Sequence, residues 1–237
     1  MTPFKLLWRL FLADLLTKGR LAALGVLGAA VVLIAWAVAR TNPEDPITDA
    51  VLMLTSVGLA LMVPLISLVF SSASLGNLKE DKTLVHVWLT PIAPWIVPAA
   101  ALTAALTVVL PPVVVSMAAA AAIFGAGSGL VIATAIVALL AATTYCAMFT
   151  LLGGLLKRAL LWGLGYVLIW EGIVAGAGTT AARLSIRVYT TSLLYRLNNL
   201  KPSAPANSTA AAVVVLLAVI GTAAAFTVRN HQQQTVD

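Results

Sequence analysis

The sequence predicts an all-α polytopic membrane protein with six transmembrane helices, and three observations lead there. Of 237 residues, 61% are hydrophobic and 9% charged, where a soluble domain carries about 25% charged residues. The uncharged stretches are long, 29 residues from Ala50 to Leu78 and 70 from Val87 to Leu156, whereas one crossing needs about 20 apolar residues. The hydrophobicity is also continuous rather than alternating. That selects helices over a barrel, the two architectures that pair every backbone polar group inside hydrocarbon.

The elements follow in order. Residues 2–20 place Phe4, Leu7, Trp8, Phe11 and Leu15 at helical spacing, with Lys5, Arg9, Asp14 and Lys18 mostly elsewhere. A basic, Trp-bearing amphipathic helix is suited to the headgroup plane. The first span is 21–39. Ala37-Val38-Ala39 resembles a cleavage site, but the apolar run before Arg40 is 19 residues, longer than a signal core of roughly 7–15, so a retained span is expected. A Pro-rich turn leads to a second span at 50–72, with Pro64 expected to kink it. The polar stretch 76–94 comes next, then a third span at 95–124. Pro111 and Pro112 remove two adjacent backbone donors there, so a broken or strongly bent helix is expected. Gly125–Gly129 is a loop, the fourth span is 130–156, and Lys157-Arg158 mark a turn. The fifth span is 159–175, a mixed segment occupies 176–209, and the last span is 209–228.

Orientation follows from Lys and Arg in short loops. Lys5, Arg9, Lys18 and Arg20 flank the first span, Lys79 and Lys82 follow the second, Lys157 and Arg158 follow the fourth, and Arg229 follows the last. Both termini are therefore expected in the cytoplasm. The segment 176–209 then lies outside despite Arg183, Arg187, Arg196 and Lys201, and is expected to be a defined structure. The net charge of +6 is explained by topology rather than by nucleic acid, because no basic run is longer than Lys157-Arg158. The lone Cys146 excludes a disulfide framework within the chain.

The polar stretch carries the clearest motif: Glu80-Asp81-Lys82-Thr83-Leu84, then His86, then Thr90-Pro91-Ile92. Pinned between two apolar runs, it must lie at a membrane surface. The pattern resembles the first cytoplasmic loop of type-2 ABC transporter permeases. The layout of an amphipathic amino-terminal helix, six spans and an irregular segment after the fifth is similar to that family too, as are Leu168-Ile-Trp-Glu-Gly172 and Arg183-Leu-Ser-Ile-Arg187. Lys82 stands where members often carry Gly, and no base follows Pro91. The resemblance implies that 76–94 is a coupling helix docking on a separate ATP-binding subunit, with Glu80, Asp81, Lys82, Thr83, Leu84, His86 and Pro91 as its coupling residues. It further implies a second permease chain, ATP and Mg on the partner rather than on this chain, and a bacterial cytoplasmic membrane.

Glu171 is the one acid inside an apolar span, where a carboxylate costs at least about 2.5–3.5 kcal/mol on insertion scales. Arg183 and Arg187 are its nearest candidate partners, as an outer gate or as a permanent structural pair. Gly172 and Gly176 have the Gly-x-x-x-Gly spacing that lets helices approach, a spacing that arises easily in a Gly/Ala-rich chain. Asn207-Ser-Thr209 fits a glycosylation acceptor by accident. His86 and His231 are too few for a metal site. No Gly-x-x-x-x-Gly-Lys-Ser/Thr loop occurs, nor a Ser/His/Asp or Cys/His set, so the chain is not expected to be an enzyme. The expected function is the permease of an ATP-driven exporter. The alternatives are a membrane scaffold or assembly factor, and an ion-driven secondary transporter, which would carry several intramembrane acids or an inverted repeat.

Overall fold

The computed structural model describes residues 2–41, 44–80, 93, 95–173, 182–201 and 208–233, without the side chains of 77–80 and 230–233. Every regular element among them is helical. Five helices are long and apolar enough to cross a membrane: Lys18–Ala39, Pro46–Gly76, Ile96–Ile123, Ser128–Leu155 and Thr209–Arg229. Length and composition make this a polytopic membrane architecture.

Helix α1 (Pro3–Leu15) starts with Pro at its first position, where the missing N–H costs nothing. It buries Phe11 and Leu15, half-buries Phe4, Leu7 and Trp8, and packs on α5 and α4. The apolar face that the sequence offers to the headgroups is thus turned largely onto protein, leaving Leu6 and Leu10 exposed. Helix α2 (Lys18–Ala39) is peripheral, and the Arg40 guanidinium lies 4.6 Å from the Trp36 ring centre at its end.

The second crossing is a composite. Helix α3 (Pro46–Met53) is capped by Asp45, whose Oδ1 accepts from the Ile47 and Thr48 amides at 3.2 and 3.3 Å. A π-helical segment, Leu54–Met62, follows, and then α4 (Val63–Glu80). Pro64 has no N–H, and its ring would meet the Ala60 carbonyl in an α-helical turn. The wider turn just before it, in which the Val63 amide donates to Gly58, accommodates that ring. The expected kink at Pro64 therefore takes the form of a π-helical segment.

Helix α5 (Ile96–Ile123) runs through Pro111 and Pro112 without interruption. The break expected at this pair is absent. Pro111 lies on the exposed side of the helix, and the inward residues Val108, Val109, Val113 and Met117 are fully or almost fully buried. Packing on both sides of the prolines thus holds the helix together across the lost donors.

Helix α6 (Ser128–Leu155) is the hub, packing on α4, α5, α8 and α9. Its interior face is Ala-rich and ends at Gly153. A Cβ at that position would sit 2.5 Å from the Ser72 carbonyl oxygen, so the backbones of α4 and α6 touch there, as small-residue interfaces permit.

Helix α7 (Ala159–Gly165) continues as a second π-helical segment, Tyr166–Glu171. At 1.5 Å per residue this 13-residue apolar helix rises about 20 Å, short of the ~30 Å hydrocarbon layer. The span expected at 159–175 is therefore not a full crossing within its described part, which turns at Gly172–Ile173. Helix α8 (Ile186–Leu197) packs on α6, α9 and the first π-helical segment. The expected outer segment thus contributes a helix to the bundle. Helix α9 (Thr209–Gln233) is the last described element.

Two cavities fix which helix ends lie together. One, of about 250 Å³, gathers Arg20, Ser72, Gly76 and Lys157-Arg158. The other, of about 160 Å³, gathers Pro98, Thr150 and Thr227. The starts of α2, α5 and α7 and the ends of α4, α6 and α9 therefore share one end of the bundle, which also carries Arg20, Lys157, Arg158 and Arg229. Helix α4 ends and helix α5 begins at this basic end.

Candidate functional site

Of the two groups of residues that the sequence singles out, one falls outside the described part. Asp81, Lys82, Thr83, Leu84, His86 and Pro91 lie outside the described residues, as does the side chain of Glu80, and so does Gly176 of the Gly-x-x-x-Gly pair. The other group is centred on Glu171.

Glu171 ends the second π-helical segment and is 3% exposed. Among the described residues its carboxylate receives four hydrogen bonds. Oε2 accepts from the Tyr145 hydroxyl at 2.5 Å and from the Arg187 amide at 3.2 Å. Oε1 accepts from the Tyr166 hydroxyl at 2.8 Å and from the Ile186 amide at 3.1 Å. Four donors match the roughly four lone-pair sites of a carboxylate. A buried charged group is tolerated when it is saturated in this way.

Each partner has a local reason for its place. Tyr166 lies five residues before Glu171, and the i→i+5 turn of a π-helix stacks such residues on one side. Tyr145 projects from the inner face of α6, is fully buried, and stacks on Phe149 at 5.8 Å between ring centres. The Ile186 and Arg187 amides are first-turn donors of α8, which lack carbonyl partners within the helix. Ser185 caps the same turn, accepting from the Val188 amide at 3.3 Å. Glu171 thus brings a carboxylate to a helix start, where the helix dipole favours negative charge.

The arginines are placed differently from expectation. The Arg187 guanidinium donates to the backbone carbonyl of Glu171 at 3.3 Å and satisfies a terminal acceptor of that helix. The four donors on the carboxylate are phenols and amides, with no guanidinium among them. Arg183 is exposed, and only its carbonyl takes part, accepting from the Tyr189 hydroxyl at 2.9 Å. The expected Glu171–arginine ion pair is replaced by a capped helix junction, because backbone donors and phenols already fill the carboxylate's acceptor sites. Pro111 and Pro112 lie on α5 and take no part in these bonds.

Tyr145 and Tyr166 are the residues that sequence reasoning missed. Tyr145 is a phenol in an otherwise uncharged run, which signals a buried hydroxyl in need of a partner. Tyr166 is legible only once the π-helical turn is known. By residue count, Tyr145 stands about 15 Å from the basic end of α6 and about 26 Å from its other end. The junction is therefore deep in the bundle rather than at the outer rim.

Chemically the site joins three elements, α6, the α7 segment and α8. No group of three His, Cys, Asp or Glu that could hold a metal is found among the described residues. No protein-family model matches the chain, and no curated protein matches it.

Proposed function

We propose that the chain is the membrane permease subunit of a type-2 ABC exporter, pairing with a second permease chain and driven by a separate ATP-binding subunit in a bacterial cytoplasmic membrane. The observation that carries the reading is the segment Glu80-Asp81-Lys82-Thr83-Leu84 to Thr90-Pro91-Ile92, tethered between α4 and α5 at the basic end of the bundle. The basic end is the cytoplasmic one by the Lys/Arg rule. A soluble partner on that side meets the chain between two helices that both pack on the hub α6. A push on it is thereby passed into the core of the bundle.

The interrupted pair α7 and α8 serves as the sixth crossing. The α7 segment rises from the basic end, and the start of α8 meets its last residue through Glu171. With six crossings both termini are cytoplasmic. A pathway walled by Ala, Val and Leu favours an amphiphilic cargo, and ATP with Mg acts on the partner.

The test is charge reversal at Glu80 and Asp81 together, or Thr83→Pro, in the chain co-purified with its ATPase and reconstituted in vesicles. The expected outcome is that ATP hydrolysis loses its dependence on the permease and transport falls, while membrane insertion is unchanged. Full transport in both variants would remove the docking role. An ion gradient that sustains transport when the partner's ATP site is disabled would replace the reading with a secondary transporter.

A further inference from the structure

The basic end carries a second feature that the coupling role does not use. The cavity of about 250 Å³ between the start of α2, the end of α4 and the α6–α7 turn is lined by Arg20, Lys157 and Arg158. Ser72, Gly76 and Leu161 also line it. The Arg20 guanidinium is oriented by a hydrogen bond from Nη1 to the Asp14 carbonyl at 3.1 Å. The side chains of Lys157 and Arg158 are exposed and make no hydrogen bond or ion pair among the described residues. Three cations around one concavity repel each other unless an anion joins them. Leu160 and Leu161, which also line the cavity, are 46% and 59% exposed, so the outer lip presents two apolar side chains.

We propose that this cavity binds the headgroup of an anionic phospholipid of the surrounding leaflet. The phosphate sits among Arg20, Lys157 and Arg158, and the acyl chains leave past Leu160 and Leu161. A lipid fits better than a soluble phosphate compound because the lip is apolar and faces outward at a helix end. Basic pockets between membrane helices on the cytoplasmic side hold anionic headgroups by the same physics. The site adjoins the Ser72–Gly153 backbone contact, so an occupant bridges the ends of α4, α6 and α7. It stabilises the folded bundle by mass action.

The experiment titrates the full-length chain in a neutral detergent with phosphatidylglycerol and with phosphatidylcholine, reading bound lipid by native mass spectrometry. Phosphatidylglycerol is expected to bind saturably and phosphatidylcholine not. The double variant Lys157→Gln/Arg158→Gln weakens phosphatidylglycerol about 25-fold, a factor of about five for each cation. The charge-preserving Lys157→Arg/Arg158→Lys retains binding, and Lys5→Gln/Arg9→Gln on α1 leaves it unchanged. An equal loss in the α1 variant would reduce the effect to diffuse surface charge and overturn the site. Glycerol phosphate binding as tightly as the lipid would overturn the lipid assignment. Should the double variant not elute as one monodisperse peak, Arg158→Gln alone is compared, with about a fivefold loss expected.

Discussion

Glu171→Gln removes a charge while keeping the shape of the side chain, and the hydrogen-bond geometry around it sets the cost. Each carboxylate oxygen accepts one phenol and one backbone amide: Tyr166 and Ile186 on Oε1, Tyr145 and Arg187 on Oε2. A glutamine must put its NH₂ in one of these two places. Whichever it chooses, a backbone N–H at the start of α8 faces another N–H. A phenol can rotate its proton away, but a helical amide cannot. One orphaned buried donor costs about 1–3 kcal/mol, and the remaining bonds lose the added strength of an ionised acceptor. A total near 3 kcal/mol is expected, which at about 2–4 °C per kcal/mol for a chain of this size lowers the melting temperature by roughly 6–12 °C. The assay is thermal unfolding in detergent, run beside Tyr145→Phe and the double variant. The double variant should fall short of the sum of the two, because both act on one carboxylate. A Gln variant that melts within about 1 °C of the parent would refute the reasoning. Transport that is unchanged despite lowered stability assigns Glu171 a structural role only. Transport lost from a chain of parental stability assigns it to the gate.

The contact between α4 and α6 gives a second prediction. Gly153→Ala places a Cβ against the Ser72 carbonyl, and neither backbone can rotate away. A loss of about 1–3 kcal/mol is expected from overpacking, read by the same melt. Gly154→Ala, whose nearest neighbour would be Leu75 Cδ1 at 3.4 Å, should change the melt far less. Asp45 supplies a pH dependence. Hydrogen bonds from the Thr48 hydroxyl, then from the Thr48 and Ile47 amides, hold its carboxyl below the ordinary aspartate range. A depressed folded value means that the cap contributes fully above the unfolded value and is lost as pH falls through the folded one. Acid unfolding should therefore steepen below the ordinary aspartate range in the parent, and Asp45→Asn should flatten it. Parallel pH curves for the two proteins would show that the cap contributes nothing.

How much was legible depended on whether the signal was local. Apolar run length fixed the five long helices to within a few residues, because a crossing is a one-dimensional requirement that composition meets or fails. The Lys and Arg pattern picked out Arg20, Lys157 and Arg158, which the bundle gathers at one end. Proline was read less well. Pro64 is met by a π-helical segment and Pro111-Pro112 lie within an unbroken helix, since neighbouring helices decide whether a lost donor bends the backbone. The candidate site was half legible. Glu171 stood out as a charge in an apolar run, but sequence proximity nominated Arg183 and Arg187, and distance along the chain says nothing about a phenol 26 residues away on another helix.

The sequence by itself determined a helical membrane architecture, a charged connection between the second and third spans, and one buried acid that had to find partners. Only the tertiary structure decided who those partners are: two phenols from separate helices and the opening amides of α8. It also packed residues 186–197, part of the defined outer structure that the sequence led one to expect, into the bundle as α8. The physical reason is that hydrophobic length is summed along the chain, whereas a buried carboxylate is satisfied by whatever donors the packing brings within about 3 Å.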